Sequence, residues 1–159
     1  MKKIVESIEI QAPVELVFDF VADVGNALEW MHGFHKFEPL TEVTRGKGAR
    51  VRAAGRIGGI SISTELEITD FVCNKKLVSV SNSEIKSVSA WLFEPTEKGT
   101  RVTFVGHYEL PRGSFSRLVG NLWLQHQLAE HAWKSLKNLK RRLESAQRPS
   151  EVASTKNAR

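Results

Sequence analysis

Cysteine occurs once in this chain, at Cys73, and long apolar runs do not occur at all. One cysteine excludes an internal disulfide and a multi-cysteine zinc site. Set between Val72 and Asn74, where a strand ends, it reads as a buried packing thiol rather than a nucleophile. No stretch approaches the roughly 20 apolar residues of a membrane-spanning helix. The opening MKKIVESIEIQAP has two lysines but no apolar segment of signal-peptide length. A cytoplasmic protein is the expectation. Also missing are a glycine-rich phosphate loop, a nucleophile elbow and a dinucleotide fingerprint, so no cofactor is expected. Basic residues are not interleaved with aromatics as in a single-strand or RNA platform, and nucleic acid is not expected as a partner.

What is present fits one globular domain with a substantial core: 159 residues, 41% of them hydrophobic and 26% charged. Net charge is +5, and SAQRPSEVASTKNAR at 145–159 supplies +2 of it, leaving a mildly basic body. That segment is polar and nearly free of large apolar side chains, which predicts a disordered tail after a domain spanning 1–144.

Residues 3–11 alternate as a strand with Ile4, Ile8 and Ile10 on one face; Glu6 shares that alternation, either inward or reaching water at an edge. Ala12-Pro13 then starts a helix carrying Val14, Val17, Phe18 and Val21 at helical spacing, and a second short helix runs through Ala27, Leu28 and Trp30. From Phe37 to Leu110 the period changes to two, broken by turn signals at Gly46-Lys47-Gly48, Gly58-Gly59, Asn74-Lys75, Asn82-Ser83 and Lys98-Gly99. Six further strands follow, seven in all.

Two hairpins predict their own register. A two-residue Gly58-Gly59 turn sets Ile57 opposite Ile60, Arg52 opposite Glu65 and Arg50 opposite Glu67, with Val51, Ala53 and Gly55 on the other, apolar face. In WLFEPTEKGTRVTF, pairing Glu94 with Arg101 sets Phe93 beside Val102, Trp91 beside Phe104, Ser89 beside Gly106 and Ser87 beside Tyr108. Ala53, Gly55, Ser89 and Gly106 leave inward volume unfilled, which means either a cavity or sharply bent strands.

Residues 114–145 predict one long helix of about 30 residues. Its broad apolar stripe runs through Leu118, Leu122, Gln125, Ala129, Ala132, Trp133, Leu136, Leu139 and Leu143. Within it, HQLAEHAW at 126–133 looks like a zinc motif, but His126 and His131 are five residues apart. At 100° per residue they diverge by roughly 140°, so no metal site is expected. On this wheel His131 points to solvent, and His126 with Trp133 approaches the interior.

Strand, two short helices, six strands and a long helix is the order of the helix-grip fold, an α+β architecture in which a curved antiparallel sheet wraps the last helix. The chain resembles the START-like (SRPBCC) superfamily, in particular its polyketide cyclase/dehydrase and lipid-transport group. The resemblance is carried by IEIQAPVELVFDFVAD (8–23), Trp30, Gly46-Lys47-Gly48, Trp91-Leu92-Phe93, Gly99-Thr100-Arg101-Val102-Thr103 and the 133–140 segment WKSLKNLK, and covers roughly 3–144. It implies an apolar pocket between sheet and helix, entered near the short helices. Trp91, Phe93, Phe104 and Tyr108 would line its sheet side; Leu122, Gln125, His126, Ala129 and Trp133 its helix side; Trp30, His32 and Phe34 its mouth. The implied ligand is a lipid, isoprenoid or polyketide-like molecule.

Three functions compete. A non-catalytic carrier of a hydrophobic small molecule fits the scarcity of inward polar groups. An aromatase/cyclase or dehydratase would need an acid/base pair, for which His126 and Tyr108 are the candidates. An interaction module would use Trp123 and Leu124, well off the stripe, as a homodimer contact. The basic run from Lys134 to Arg142 is read as a solvated face that complements the helix dipole, ahead of a membrane-surface contact.

Overall fold

The computed structural model describes residues 2–83, 85–109 and 121–157. Strand β1 (Lys2–Ile10) is followed by α1 (Val14–Ala22), a 3-10 turn (Val24–Asn26) and α2 (Ala27–Trp30). Strands β2 (Phe34–Pro39), β3 (Arg50–Ile57), β4 (Ile60–Val72), β5 (Lys76–Ser81), β6 (Lys86–Pro95) and β7 (Thr100–Glu109) come next, and then helix α3 (Asn121–Asn157). The seven strands form one antiparallel sheet in the order β1-β7-β6-β5-β4-β3-β2. This is the helix-grip arrangement.

Alternation sets the registers. Gly58 and Gly59 both take positive φ, 56° and 86°, as a two-residue hairpin turn with right-handed strands requires. Ile57 pairs with Ile60, Arg52 with Glu65 and Arg50 with Glu67. Both guanidinium groups nevertheless converge on Glu65, each at 2.8 Å. All three side chains are about half exposed, so the cluster fixes register more than it adds stability. The β6–β7 hairpin has Glu94 on Arg101, Trp91 on Phe104, Ser89 on Gly106 and Ser87 on Tyr108.

The inward small residues have two different causes. Gly106 and Ser89 line a cavity. Gly55 instead lies under the chain entering β2: a Cβ there would stand 2.2 Å from the Gly33 carbonyl oxygen. Ala53 is fully buried. Cys73 is exposed in the β4–β5 turn, against the expected buried thiol, because the strand ends one residue earlier and the turn carries it into solvent.

Helix α1 buries Val14, Val17, Phe18 and Ala22. Phe18 meets Phe71 and Phe93 edge-on, with ring centroids 5.2 Å away in each case. These residues join Ile10, Trp30, Trp91, Leu136 and Leu139 in the main core cluster. Full burial of one such ring contributes about 1.5–3 kcal/mol. A second, smaller cluster of Ile4, Tyr108 and Ala132 lies toward the other end of the sheet.

The long helix departs from its predicted phase. Among its described side chains the buried ones are Leu124, Ala132, Ser135, Leu136, Leu139 and Leu143, whereas Leu122 is 84% exposed and Trp133 38%. Leu124, Leu128, Ala132 and Leu136 follow an i, i+4 row, which drifts about 40° per step around the axis. A straight stripe drawn back from Leu136 therefore lands on the wrong side by the first turns. The sheet twists beneath the helix, and the covered face winds with it. Residues 114–120, with Leu118, lie outside the described residues. The backbone stays helical from 145 to Asn157, through the segment expected as a tail. Lys137 to Arg142 are thus mid-helix and do not complement a terminus; Lys134, Lys140 and Arg142 pair with Glu130, Glu144 and Glu29.

Candidate functional site

Between the inner face of the sheet, the α1–α2 segment and α3 lies a cavity of about 280 Å³. Its walls are largely apolar. Trp91 and Phe104 stand on neighbouring strands with ring centroids 4.6 Å apart, and Trp30 meets Trp91 edge-on at 5.1 Å. Leu66, Leu77, Ile85 and Val51 complete the sheet side, and Leu128, His131, Ala132 and Ser135 the helix side.

Six sequence-predicted residues line this cavity: Trp30, His32, Phe34, Trp91, Phe104 and Tyr108. Phe93 is one pleat away, fully in the core against Phe18. The predicted helix side is displaced. Leu122 and His126 are exposed; Gln125 is half-buried off the cavity; Ala129 packs against the Tyr108 cluster. Trp133 carries the Lys137 ammonium 5.9 Å above its ring at the surface. Leu124, one of the two residues expected in a dimer contact, is buried; Trp123, the other, packs over Gly58, where a Cβ would come within 2.3 Å of its ring, and stays exposed. All these corrections follow from the winding of the buried face.

On the helix side, the imidazole that reaches the cavity is His131. Its ring meets that of His32 edge-on, centroids 4.8 Å apart. Gly33, at φ 85°, lets the chain pass beneath it: a Cβ there would stand 2.4 Å from His131 Cε1. The His32 backbone N–H donates to Ser135 Oγ at 2.9 Å, and that hydroxyl donates to the His131 carbonyl at 2.8 Å. Asn138 Nδ2 donates to the Trp30 carbonyl at 3.2 Å. Two helix side chains thus anchor the link between α2 and β2 that carries Trp30, His32 and Phe34. Sequence reasoning missed His131, Leu128 and Ser135; the apolar i, i+4 row from Leu124 to Leu136 was the signal that places them.

Three buried polar atoms have no hydrogen-bond partner among the described residues: Trp30 Nε1, Tyr108 Oη and His131 Nδ1. All three belong to cavity-lining residues. Buried polar groups are nearly always paired, so three orphans in residues bordering one cavity are unusual. Burial pushes the His131 imidazole below its ordinary value of 6.5 and the charge of the His32 side chain adds to this, while a contact with the His32 backbone opposes both. Burial also raises the Tyr108 hydroxyl above 10. At neutral pH the site therefore presents a neutral imidazole, a protonated phenol and an indole N–H. The pair His126 and Tyr108 is not brought together, because His126 faces outward. No cluster of three or more metal-ligating side chains occurs among the described residues, nor does any helix there have the length and apolarity to cross a membrane.

Known structures share this architecture. A protein from Thermus thermophilus (TTHA0849) superposes with a TM-score of 0.79 at 22% identity, covering 91% of this chain and 99% of that one. The Zhui aromatase/cyclase from a Streptomyces species superposes with a TM-score of 0.77 at 14% identity, covering 90% and 93%. A Deinococcus radiodurans protein follows with a TM-score of 0.65 at 20% identity, covering 92% and 99%. At these identities the likeness establishes the fold. No curated protein sequence matches this chain. The sequence profile described as polyketide cyclase / dehydrase and lipid transport matches residues 1–144, and the chain belongs to that family.

Proposed function

We propose that this protein binds a hydrophobic small molecule in the cavity between its sheet and α3. The observation that carries this reading is the union of an apolar cavity with three unpartnered buried polar atoms in residues that border it. An apolar body would be desolvated against Trp91, Phe104 and Leu77, and a polar group on it would find Trp30, Tyr108 or His131. Native mass spectrometry of protein purified from its own host tests this. A co-purifying apolar molecule, released by Trp91→Ala, is the expected result. Protein that is consistently ligand-free and does not bind added apolar compounds would remove the reading.

A catalytic reading is favoured by one observation, the buried neutral imidazole of His131, whose Nδ1 lacks a hydrogen-bond partner of good geometry. In an aromatase/cyclase or dehydratase, His131 would take a proton from a carbon next to a carbonyl, and Tyr108 would donate to the oxygen on which charge develops. Deuterium exchange into a 1,3-diketone examines this step. Acceleration by the protein that disappears in His131→Gln supports it; exchange at the buffer rate leaves a binding protein.

A further inference from the structure

The three unpartnered groups around the cavity share a second property: each is neutral near pH 7. The Trp30 indole does not titrate, burial holds the Tyr108 hydroxyl protonated, and burial, the largest influence on it, holds His131 uncharged. Among the described residues no lysine, arginine, aspartate or glutamate lines the cavity. The other polar lining consists of hydroxyls, most of them on the sheet, and of His32 and His107. Ser79 and Ser89 face each other across β5 and β6, and Ser87 sits opposite Tyr108.

These groups treat two kinds of apolar ligand differently. A carboxylate carried in would lose its hydration with no lysine or arginine among the described lining residues to replace it. A hydroxyl or ketone oxygen loses far less on entering, and regains it from the Trp30 N–H, the Tyr108 O–H or a serine hydroxyl. His131 Nδ1, where it is the unprotonated nitrogen, accepts from a ligand hydroxyl. We propose that the cavity selects neutral, oxygen-bearing apolar molecules (phenols, alcohols or ketones) and rejects carboxylates built on the same apolar body. Free fatty acids are then not its ligands. This inference rests on the reading of the cavity as a ligand site.

The test is calorimetric titration of the full chain at pH 7.5 with two matched pairs, 2-naphthol against 2-naphthoate and decanol against decanoate. Each pair holds the apolar body nearly constant and changes the charge of the head. The neutral member is expected to bind at least about tenfold tighter in whichever body fits, because tenfold is only about 1.4 kcal/mol and uncompensated burial of a carboxylate costs more. Equal binding, or tighter binding of the carboxylate, overturns the inference while leaving the cavity a ligand site. No binding by any of the four overturns the ligand-site reading, and this inference with it.

Discussion

Replacing Tyr108 by Phe keeps the ring that packs with Ile4 and Ala132 and removes a buried hydroxyl that has no partner among the described residues. An unpartnered buried hydroxyl costs about 1–3 kcal/mol, so Tyr108→Phe should raise the stability of the ligand-free protein by about 1 kcal/mol. Urea denaturation measures this as a higher midpoint at unchanged slope; a lower midpoint would show that the hydroxyl is satisfied. His131 gives a pH signature of definite sign. Its folded-state pKa lies below the ordinary 6.5, so in acid the unfolded chain takes up a proton that the folded protein resists. Stability should therefore fall as pH drops through about 6.5 toward 5, and His131→Gln should flatten that part of the profile. Melting temperatures at pH 7.5, 6.5 and 5.5 compare the two. At this scale the sequence was half readable. It placed Trp30, Trp91, Phe104 and Tyr108 by strand alternation and local order, but it chose the wrong histidine of HQLAEHAW. The choice depended on a helix phase that only the twisting sheet determines.

Elements differ in how much of their environment is local. A strand has two faces, so one hairpin turn decides every side chain in it, and Gly58-Gly59 alone set the Arg50, Arg52 and Glu65 face from the sequence. A long helix has a continuous range of phases, and a winding contact leaves no single stripe to extrapolate. Leu122 and Leu124 show the consequence, two residues apart with 84% and 4% exposure, opposite to the straight-stripe expectation. Leu124→Ala should destabilise by about 2–4 kcal/mol, and Leu122→Ala should stay within about 0.5 kcal/mol. Chemical denaturation of both variants decides between the winding and the straight face. The β2–β3 junction gives a second element-level outcome. Gly55→Ala would drive a methyl into the Gly33 carbonyl and the Phe34 backbone. Since backbone cannot yield as a side-chain tip does, a loss of at least about 2 kcal/mol is expected, together with distortion of the segment holding Trp30 and His32. Nothing in the alternation of RVRAAGRI revealed that crossing, because it joins segments whose approach is fixed by the tertiary fold.

The whole molecule has a core in two pieces. One cluster gathers around Phe18, Trp91 and Leu136, the other around Ile4, Tyr108 and Ala132, and Phe104 touches both. Trp91, Phe104, Tyr108 and Ala132 also line the cavity, so both pieces border it. Close packing is the usual condition of protein interiors, and a gap bordered by both clusters forgoes contacts that each would otherwise make. A ligand that fills the gap adds its apolar surface to both clusters at once, coupling the long helix to the sheet through the bound molecule. Binding to the folded state alone stabilises by mass action, about 2.7 kcal/mol at one hundred times the dissociation constant. For a domain of this size each kcal/mol raises the midpoint by about 2–4 °C. Saturation with the better-bound neutral probe should thus raise Tm by about 5–10 °C, measured by circular dichroism at 222 nm. The same shift should appear in near-ultraviolet signals, since Trp30 and Trp91 flank the cavity and a single domain is expected to melt as one unit. A ligand that shifted only the near-ultraviolet transition would mean that the aromatic end of the cavity unfolds separately from α3, and the two clusters would then be independent cores.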